Sequence, residues 1–376
     1  MQRYDVVVIG VGVMGAAIAA ELAGRGRRVL ALERFDVPHA LGSSHGATRV
    51  IRKAYFEHPD YVPMLHRSWA RWEALGARVG ETLLRRTGAL HLGPRDHACI
   101  DGVRRAAREH GLATEELDAH EVGRRFPAMR PARDDVGILE EDGGFLLAER
   151  CVSTLVDVAL ADGAEVHARE RVTGVDVCDG GVEVVTDRAR YTAAKLVLAC
   201  GAWSEGDAGP LPIPIPMRIE RQVQLWFAPR EPALVAPERM PVFVRFGASG
   251  CFYGIPHAVV PGVKVCAHHG GETTRAELLD RALRDDDEAR VRAFVRAHLP
   301  AADGPLLAAR VCMYTNTPDD HFAVGPHPDH PGRVAIACGF SGHGFKLAPE
   351  VGAIVADVVE ERAPGPPLFA PDRFAT

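Results

Sequence analysis

Apolar positions along this chain follow two periodicities, and the order in which they occur alternates strand with helix. Tyr4 to Ile9 is a β-branched apolar run of strand length, the pattern of a parallel strand covered on both faces. Ala16 to Leu22 is Ala-rich and favours helix, and Arg28 to Leu32 reads as a second strand. A polar loop, Asp36 to Thr48, precedes Tyr61 to Leu75, where apolar residues recur at helical spacing. Residues 81–144 carry strand-like and helical pieces without a nucleotide signature. Ala148 to Ala161 predicts a helix, followed by short strands, a hairpin around Asp179 and Gly180, a buried strand Lys195 to Cys200, and a Gly-Ala-Trp turn. The Pro-rich LPIPIPMRIERQ at residues 211–222 is unsuited to a central strand or helix interior and marks a crossing between domains. Residues 223–316 alternate β-like segments with one charged helix, Arg275 to Leu299. A strand Val334 to Cys338 and a helix Ala348 to Glu361 follow, and the Pro-rich tail Ala363 to Thr376 is expected to run over the surface.

The first strand leads into Gly10, Gly12 and Gly15 at G-x-G-x-x-G spacing. The first glycine permits a tight turn, the second lets backbone approach a pyrophosphate, and the third lets helix and strand pack closely. The free amides and positive dipole end of the following helix face the phosphates, with Val13 and Met14 in its first turn. Glu33, at the end of the second strand, stands where a ribose diol would meet a carboxylate, with Arg34 beside it. Strand, glycines, helix, strand and acid in register predict an adenine dinucleotide site. The unit does not separate FAD from NAD, although Glu33 disfavours the 2′-phosphate of NADP. A second glycine-rich stretch, ACGFSGHGFK at residues 337–346, looks built for the same cofactor, and a site closed by both ends of a chain reads as a flavoprotein.

Composition narrows the class. With 376 residues, 47% of them hydrophobic, the chain can bury a large core and has room for two domains. A formal charge of −6 of mixed sign leaves no basic footprint for nucleic acid. No apolar stretch approaches the roughly 20 residues of a membrane span, and Met1 leads almost directly into the first strand, so a soluble cytoplasmic protein is expected. Eight cysteines show neither a C-x-x-C pair nor disulfide-rich spacing, and most sit in apolar strands as small hydrophobes.

Four motifs, GVGVMG with Glu33, GSSHGATRVIRKAY at 42–55, VCMYTNTPDDHF at 311–322 and GFSGHGFKLAP at 339–349, carry a resemblance over nearly the whole length. The chain resembles the monomeric sarcosine oxidase and N-methyltryptophan oxidase group of the D-amino-acid-oxidase-like FAD enzymes. That resemblance implies an α/β two-domain architecture: a Rossmann-like FAD-binding domain interleaved with a substrate domain on a mixed β-sheet. The expected division is 1–80, 145–212 and 320–376 for FAD, and 81–144 with 213–319 for substrate.

Arg49 and Arg52 lie three apart, so in a helix or turn they would share a face. The resemblance implies that Arg49 lies against the flavin while the guanidinium fork of Arg52 binds a substrate carboxylate. It places His45, Ser43 and Ser44 of the same loop at the flavin; the family commonly has a second histidine at Ser44 and often Asp at Ala47. Gly42, Ser44 and Gly46 also fit the G-x-S-x-G nucleophile elbow, but the preceding proline-containing loop lacks the strand that chemistry requires.

By the same resemblance, Cys312 in VCMYT forms a thioether with the flavin 8-methyl carbon, a bond that needs the reactive thiolate form of a cysteine. Tyr314 would line the substrate cavity. Gly342, His343, Gly344 and Phe345 bring backbone to the ring, where amides stabilise charge at its pyrimidine edge. Lys346 resembles a second cation on the carboxylate. Lys264, among apolar neighbours on a strand-like segment, would promote reaction of reduced flavin with O2. His268 and Tyr253 match cavity residues, and Val172, Gly201 and Trp203 match cofactor contacts. Cys266, His268 and His269 cluster without a third ligand on one face, so no metal is expected. The expected activity is FAD-dependent oxidation of a small secondary amine bearing a carboxylate, such as sarcosine, by a monomer using O2. The alternative is oxidation or dehydrogenation of a cyclic imino acid such as pipecolate or proline.

Overall fold

The structure, a computed structural model, describes residues 3–205 and 210–374. Met1 and the last two residues of the predicted tail lie outside the described residues. The apolar run at the start becomes the strand Arg3–Ile9, which pairs in parallel with Val29–Leu32 on one side and Arg190–Leu198 on the other. Neighbours on both edges and helices on its face require the continuous burial the sequence shows. Val334–Cys338 adds in parallel to Arg190–Leu198, so segments from both ends of the chain lie in one eight-stranded sheet. The helices Val13–Gly24, Ala148–Ala161 and Ala348–Val359 pack together against it.

A nine-stranded sheet forms the second layer, in the order Thr273–Thr274, Arg218–Phe227, Val263–His268, Gly250–Ile255, Val242–Gly247, Ala89–Pro94, Asp135–Glu140 and Glu115–Asp118, with Leu306–Asn316 on Arg218–Phe227. Every strand of the eight-stranded sheet comes from residues 1–80, 145–212 and 320–376, and every strand of the nine-stranded sheet from 81–144 and 213–319. A three-stranded sheet of Thr48–Ile51, Gly144–Leu147 and Leu84–Arg86 ties the two sets of segments together.

Four expectations are corrected. Arg218–Phe227 is a central strand, paired on both edges, so the proline restriction in LPIPIPMRIERQ ends at Pro216. The charged helix is shorter than the periodicity implies, Asp285–His298. The buried Arg221 consumes the carbonyls of Asp280 and Ala282 and the carboxylate of Asp287, holding residues 280–284 in an irregular path. The tail does not merely cross the surface: Phe369 is fully buried, 5.3 Å from the Tyr61 ring and 5.0 Å from Phe322. Finally, Arg49 and Arg52 belong to an extended segment, Thr48–Ile51 and the residue after it, rather than a helix or turn. Residues three apart on a strand point to opposite sides, so the two arginines reach their positions by different routes.

Candidate active site

A cavity of about 650 Å³ opens at the carboxyl ends of the parallel strands, where ligands bind in open α/β sheets. One end is lined by Gly10, Gly12, Val13, Met14, Glu33, Arg34, Val172, Gly201 and Trp203. The other is lined by Arg49, Arg52, Tyr253, His268, Cys312, Tyr314, Gly342, His343, Gly344, Phe345 and Lys346, with Ser43 and Ser44 between.

At the first end the helix Val13–Gly24 starts without an acidic residue in its first turn and without a cap on Gly12, leaving its positive end open to the cavity. Ser44 Oγ accepts from the Val13 amide at 3.1 Å, and Glu33 accepts from the Val11 amide at 2.8 Å. Gly15 does not line the cavity. A Cβ there would sit 1.7 Å from the carbonyl oxygen of Gly10, so its role is close packing of helix on strand. Trp203 Nε1 and Gln224 Oε1, both in residues of the wall, are buried without a partner among the described residues. An open helix terminus, a glycine cradle, an acid at the ribose position and unpartnered polar atoms together fit an elongated dinucleotide.

At the second end the nine-stranded sheet presents one face. Its registers place Cys266, Tyr253, Val244 and His91 in one row, and Tyr253 and Val244 line the cavity. Alternation puts Lys264 and His268 on the same side as Cys266, and the pairings of Gln222 with Cys312 and Glu220 with Tyr314 bring those two residues to that side as well. His268 Nδ1 lies 3.1 Å from the Tyr314 hydroxyl. Burial drives His268 well below the usual imidazole range and both Tyr253 and Tyr314 well above the phenol range, so all three are neutral near pH 7.

Arg52 is buried between the rings of Tyr55 and Phe56, at 4.3 and 4.5 Å, and donates through Nη2 to both oxygens of Glu57 at 2.9 and 3.0 Å. Burial opposes its charge, but Glu57 outweighs that and holds it up, while Arg52 in turn holds the Glu57 carboxyl down. Lys346 Nζ donates to the carbonyl of His343 at 2.6 Å and to the Tyr55 hydroxyl at 3.1 Å. Burial, reinforced by Arg52, lowers it to about 7. His343 Nε2 faces the carbonyl of Asp320 at 3.0 Å and must donate to it, so Nδ1 accepts from the Tyr55 hydroxyl at 2.7 Å. Ser68 and Trp72 fix the Lys346 backbone through its carbonyl, which accepts at 2.6 and 2.9 Å.

Lys264 and His45 stand behind this wall rather than in it. Lys264 Nζ donates to the carbonyls of Gly46 at 2.8 Å and Thr48 at 3.0 Å, so this cation among apolar neighbours is bonded to the arginine-bearing loop. Burial, then Arg49, lowers it to about 7. Among the described residues His45 has no partner at either ring nitrogen, and burial with the Arg49 charge lowers it to about 3. Arg49 clasps its own loop through the carbonyls of Ser43, His45 and Thr48, and lies 5.5 Å from the Phe345 ring.

Sequence reasoning did not find Glu57, Tyr55 or Gln224, whose Nε2 lies 3.2 Å from Cys312 Sγ. Glu57 had a signal, an acid five residues after Arg52, and Gln224 another, a polar residue inside the apolar run VQLWF.

Residues 5–358 match the model of the FAD dependent oxidoreductase family. The chain belongs to that family. The flavin is therefore FAD, and the enzyme is an oxidoreductase. Its sequence is 40% identical to monomeric sarcosine oxidase of Streptomyces avermitilis, covering 99% of this chain and 98% of the relative. It is 35% identical to N-methyl-L-tryptophan oxidase of Salmonella arizonae, covering 96% of each. Among solved structures it is similar to NikD, an unusual amino acid oxidase essential for nikkomycin biosynthesis, at a TM-score of 0.86 and 27% identity, covering 99% of this chain and 98% of that one. Among the described residues no helix is long and apolar enough to cross a membrane.

Proposed function

We propose that this enzyme oxidises a small secondary amine carrying a carboxylate, sarcosine or another N-methyl amino acid. The amine loses two electrons and two protons, one from the N-methyl carbon and one from nitrogen, to give an imine, water hydrolyses it to the demethylated amino acid and formaldehyde, and O2 takes up the two electrons and two protons to become hydrogen peroxide. Bound FAD supplies the two-electron acceptor that O2 later reoxidises. The observation that carries the reading is the meeting of two buried cations from opposite ends of the chain, Arg52 and Lys346, in the wall of the cavity that Tyr314 and His268 also line. Arg52 offers a planar fork to a carboxylate, but only as Glu57 releases it. Among the described residues no carboxylate pairs with Lys346, which leaves its charge for the ligand. The neutral His268 and Tyr314 take the nitrogen side, and Tyr253 closes the wall.

Further parts of the reading rest on placement. Arg49, clasping the loop beside Phe345, would face the flavin, and Lys264 behind that loop would supply the positive charge that favours reaction with O2. Cys312, in the wall beside Gln224, would form the thioether to the flavin 8-methyl carbon. The segments of the eight-stranded sheet would constitute the FAD-binding domain and those of the nine-stranded sheet the substrate domain. All eight cysteines are free, which suits a monomer of the reducing cytoplasm.

The test is a panel of N-methylated and cyclic amino acids with peroxide as readout. Turnover is expected for N-methyl substrates, with release of formaldehyde. A yellow protein that no N-methyl amino acid bleaches under anaerobic conditions would overturn the reading, and turnover confined to pipecolate or proline would replace the substrate.

A further inference from the structure

Next to the cavity residue His268 stands a second histidine whose position the reaction so far leaves unused. His269 adopts a left-handed backbone, φ +66°, a conformation rare outside glycine and asparagine. That backbone turns its ring onto His268, with centroids 4.1 Å apart, and against Tyr314 at 5.3 Å. Its side chain keeps 35% of its surface exposed, whereas Glu220 behind it is 1% exposed and 3.9 Å away. Glu220 is itself held by the Gln222 amide at 2.5 Å, the Asn316 amide at 2.8 Å, the Gly271 backbone amide at 2.8 Å and Arg218 at 3.2 Å. A buried carboxylate with this many donors is a fixed negative charge, and it lies beside a ring that touches the cavity residues His268 and Tyr314 on one side and solvent on the other.

We propose that His269, oriented by Glu220, is the outer station of a proton relay that runs from the cavity through Tyr314 and His268 to solvent. The proposal rests on the carboxylated-amine reading above. Such an amine arrives as an ammonium ion, and a carbon–hydrogen bond beside a positive nitrogen does not give up its electron pair, so one proton must leave the nitrogen first. The Tyr314 hydroxyl accepts that proton while passing its own to His268 Nδ1, 3.1 Å away. The neutral His268 then releases the proton on its other nitrogen to His269, and from there it goes to water. The proton returns when the product amine is released as an ammonium ion, so the cycle balances. The other charged or titratable groups around the pair are Arg218, Arg290, whose Nη1 faces the Gly270 carbonyl, and Tyr253. Across the cavity stand Lys346, His343 and Arg52.

The left-handed backbone suggests the test. His269→Gly removes the ring at a φ that glycine adopts freely and leaves a hole open to solvent, while His269→Asn keeps a tolerated backbone and fills the hole with a group that cannot relay. Both are measured on the flavin-loaded enzyme with whichever amine of the panel turns over fastest, so failure of the sarcosine assignment and failure of the relay are separate results. Both variants should lose kcat by on the order of 10-fold with little change in KM, the low end for a positioned proton carrier because water can partly replace it. Imidazole in the buffer should restore His269→Gly and not His269→Asn. Retention of wild-type kcat by His269→Gly, or a loss that imidazole does not reverse, would overturn the relay.

Discussion

Replacing Lys346 with methionine separates the two cations on the carboxylate wall. Burial and the neighbouring Arg52 lower Lys346 to about 7 from its ordinary 10.5. Arg52 is held charged by Glu57, and His343, lowered to about 4, stays neutral. Lys346, in the same wall, therefore titrates near neutrality. An anion beside it favours the ammonium form, so binding of a carboxylate above pH 7 takes up a proton. The sign follows: affinity is highest below about pH 7 and falls as pH rises through that value. Between pH 7 and 9 the loss approaches a factor of about 50, equivalent to about 2.3 kcal/mol, if the bound form keeps its proton throughout. The assay is titration of the flavin absorbance with propionate, a carboxylate without a nitrogen, so that only protein groups contribute. Lys346→Met should bind weakly at pH 7 and show no slope from pH 7 to 9. Lys264, also lowered to about 7, is the competing source of a slope, but it is bonded to loop carbonyls behind the wall. A slope that survives in Lys346→Met, or wild-type affinity that stays flat across this range, refutes the reasoning.

Other substitutions test separate parts of the site and fold. At Gly342, φ +76°, an added Cβ would lie 2.4 Å from the Tyr314 ring, so Gly342→Ala should displace that ring and lower kcat/KM by at least about 10-fold, the equivalent of about 1.4 kcal/mol, with a shifted flavin spectrum. Cys312→Ser should release all yellow colour to the supernatant on acid precipitation, while wild type keeps it in the pellet. Phe369→Ala should cost about 3–5 kcal/mol in chemical denaturation because it empties a buried aromatic site against Tyr61 and Phe322; a loss under about 0.5 kcal/mol would mean the tail is merely superficial.

Much of this protein is written in short-range patterns. The run Val6 to Ile9 is a doubly covered strand because only burial on both faces accommodates unbroken apolar residues, and the helix Ala148–Ala161 matches its predicted limits. The glycine at position 15 is required by contact with the carbonyl of a residue five places earlier, a constraint local enough to read directly. Most of the predicted cavity residues do line one cavity, because the motifs that carry them are turns and strand ends whose geometry is set nearby.

What the tertiary structure decided are the partnerships between distant segments. The charged stretch from Arg275 has helical composition, yet Arg221, more than fifty residues upstream, draws the Asp280 and Ala282 carbonyls to itself and delays the helix to Asp285. Tyr55 meets His343 and Lys346, and Phe369 packs on Tyr61 and Phe322, only because segments from the two ends of the chain come together, and Lys264 reaches loop carbonyls only because its strand packs over residues 46–48. Local periodicity reports which face a residue prefers to bury. Which group it meets there depends on desolvation and hydrogen bonding across the closed interface, and those energies exist only once the chain has folded.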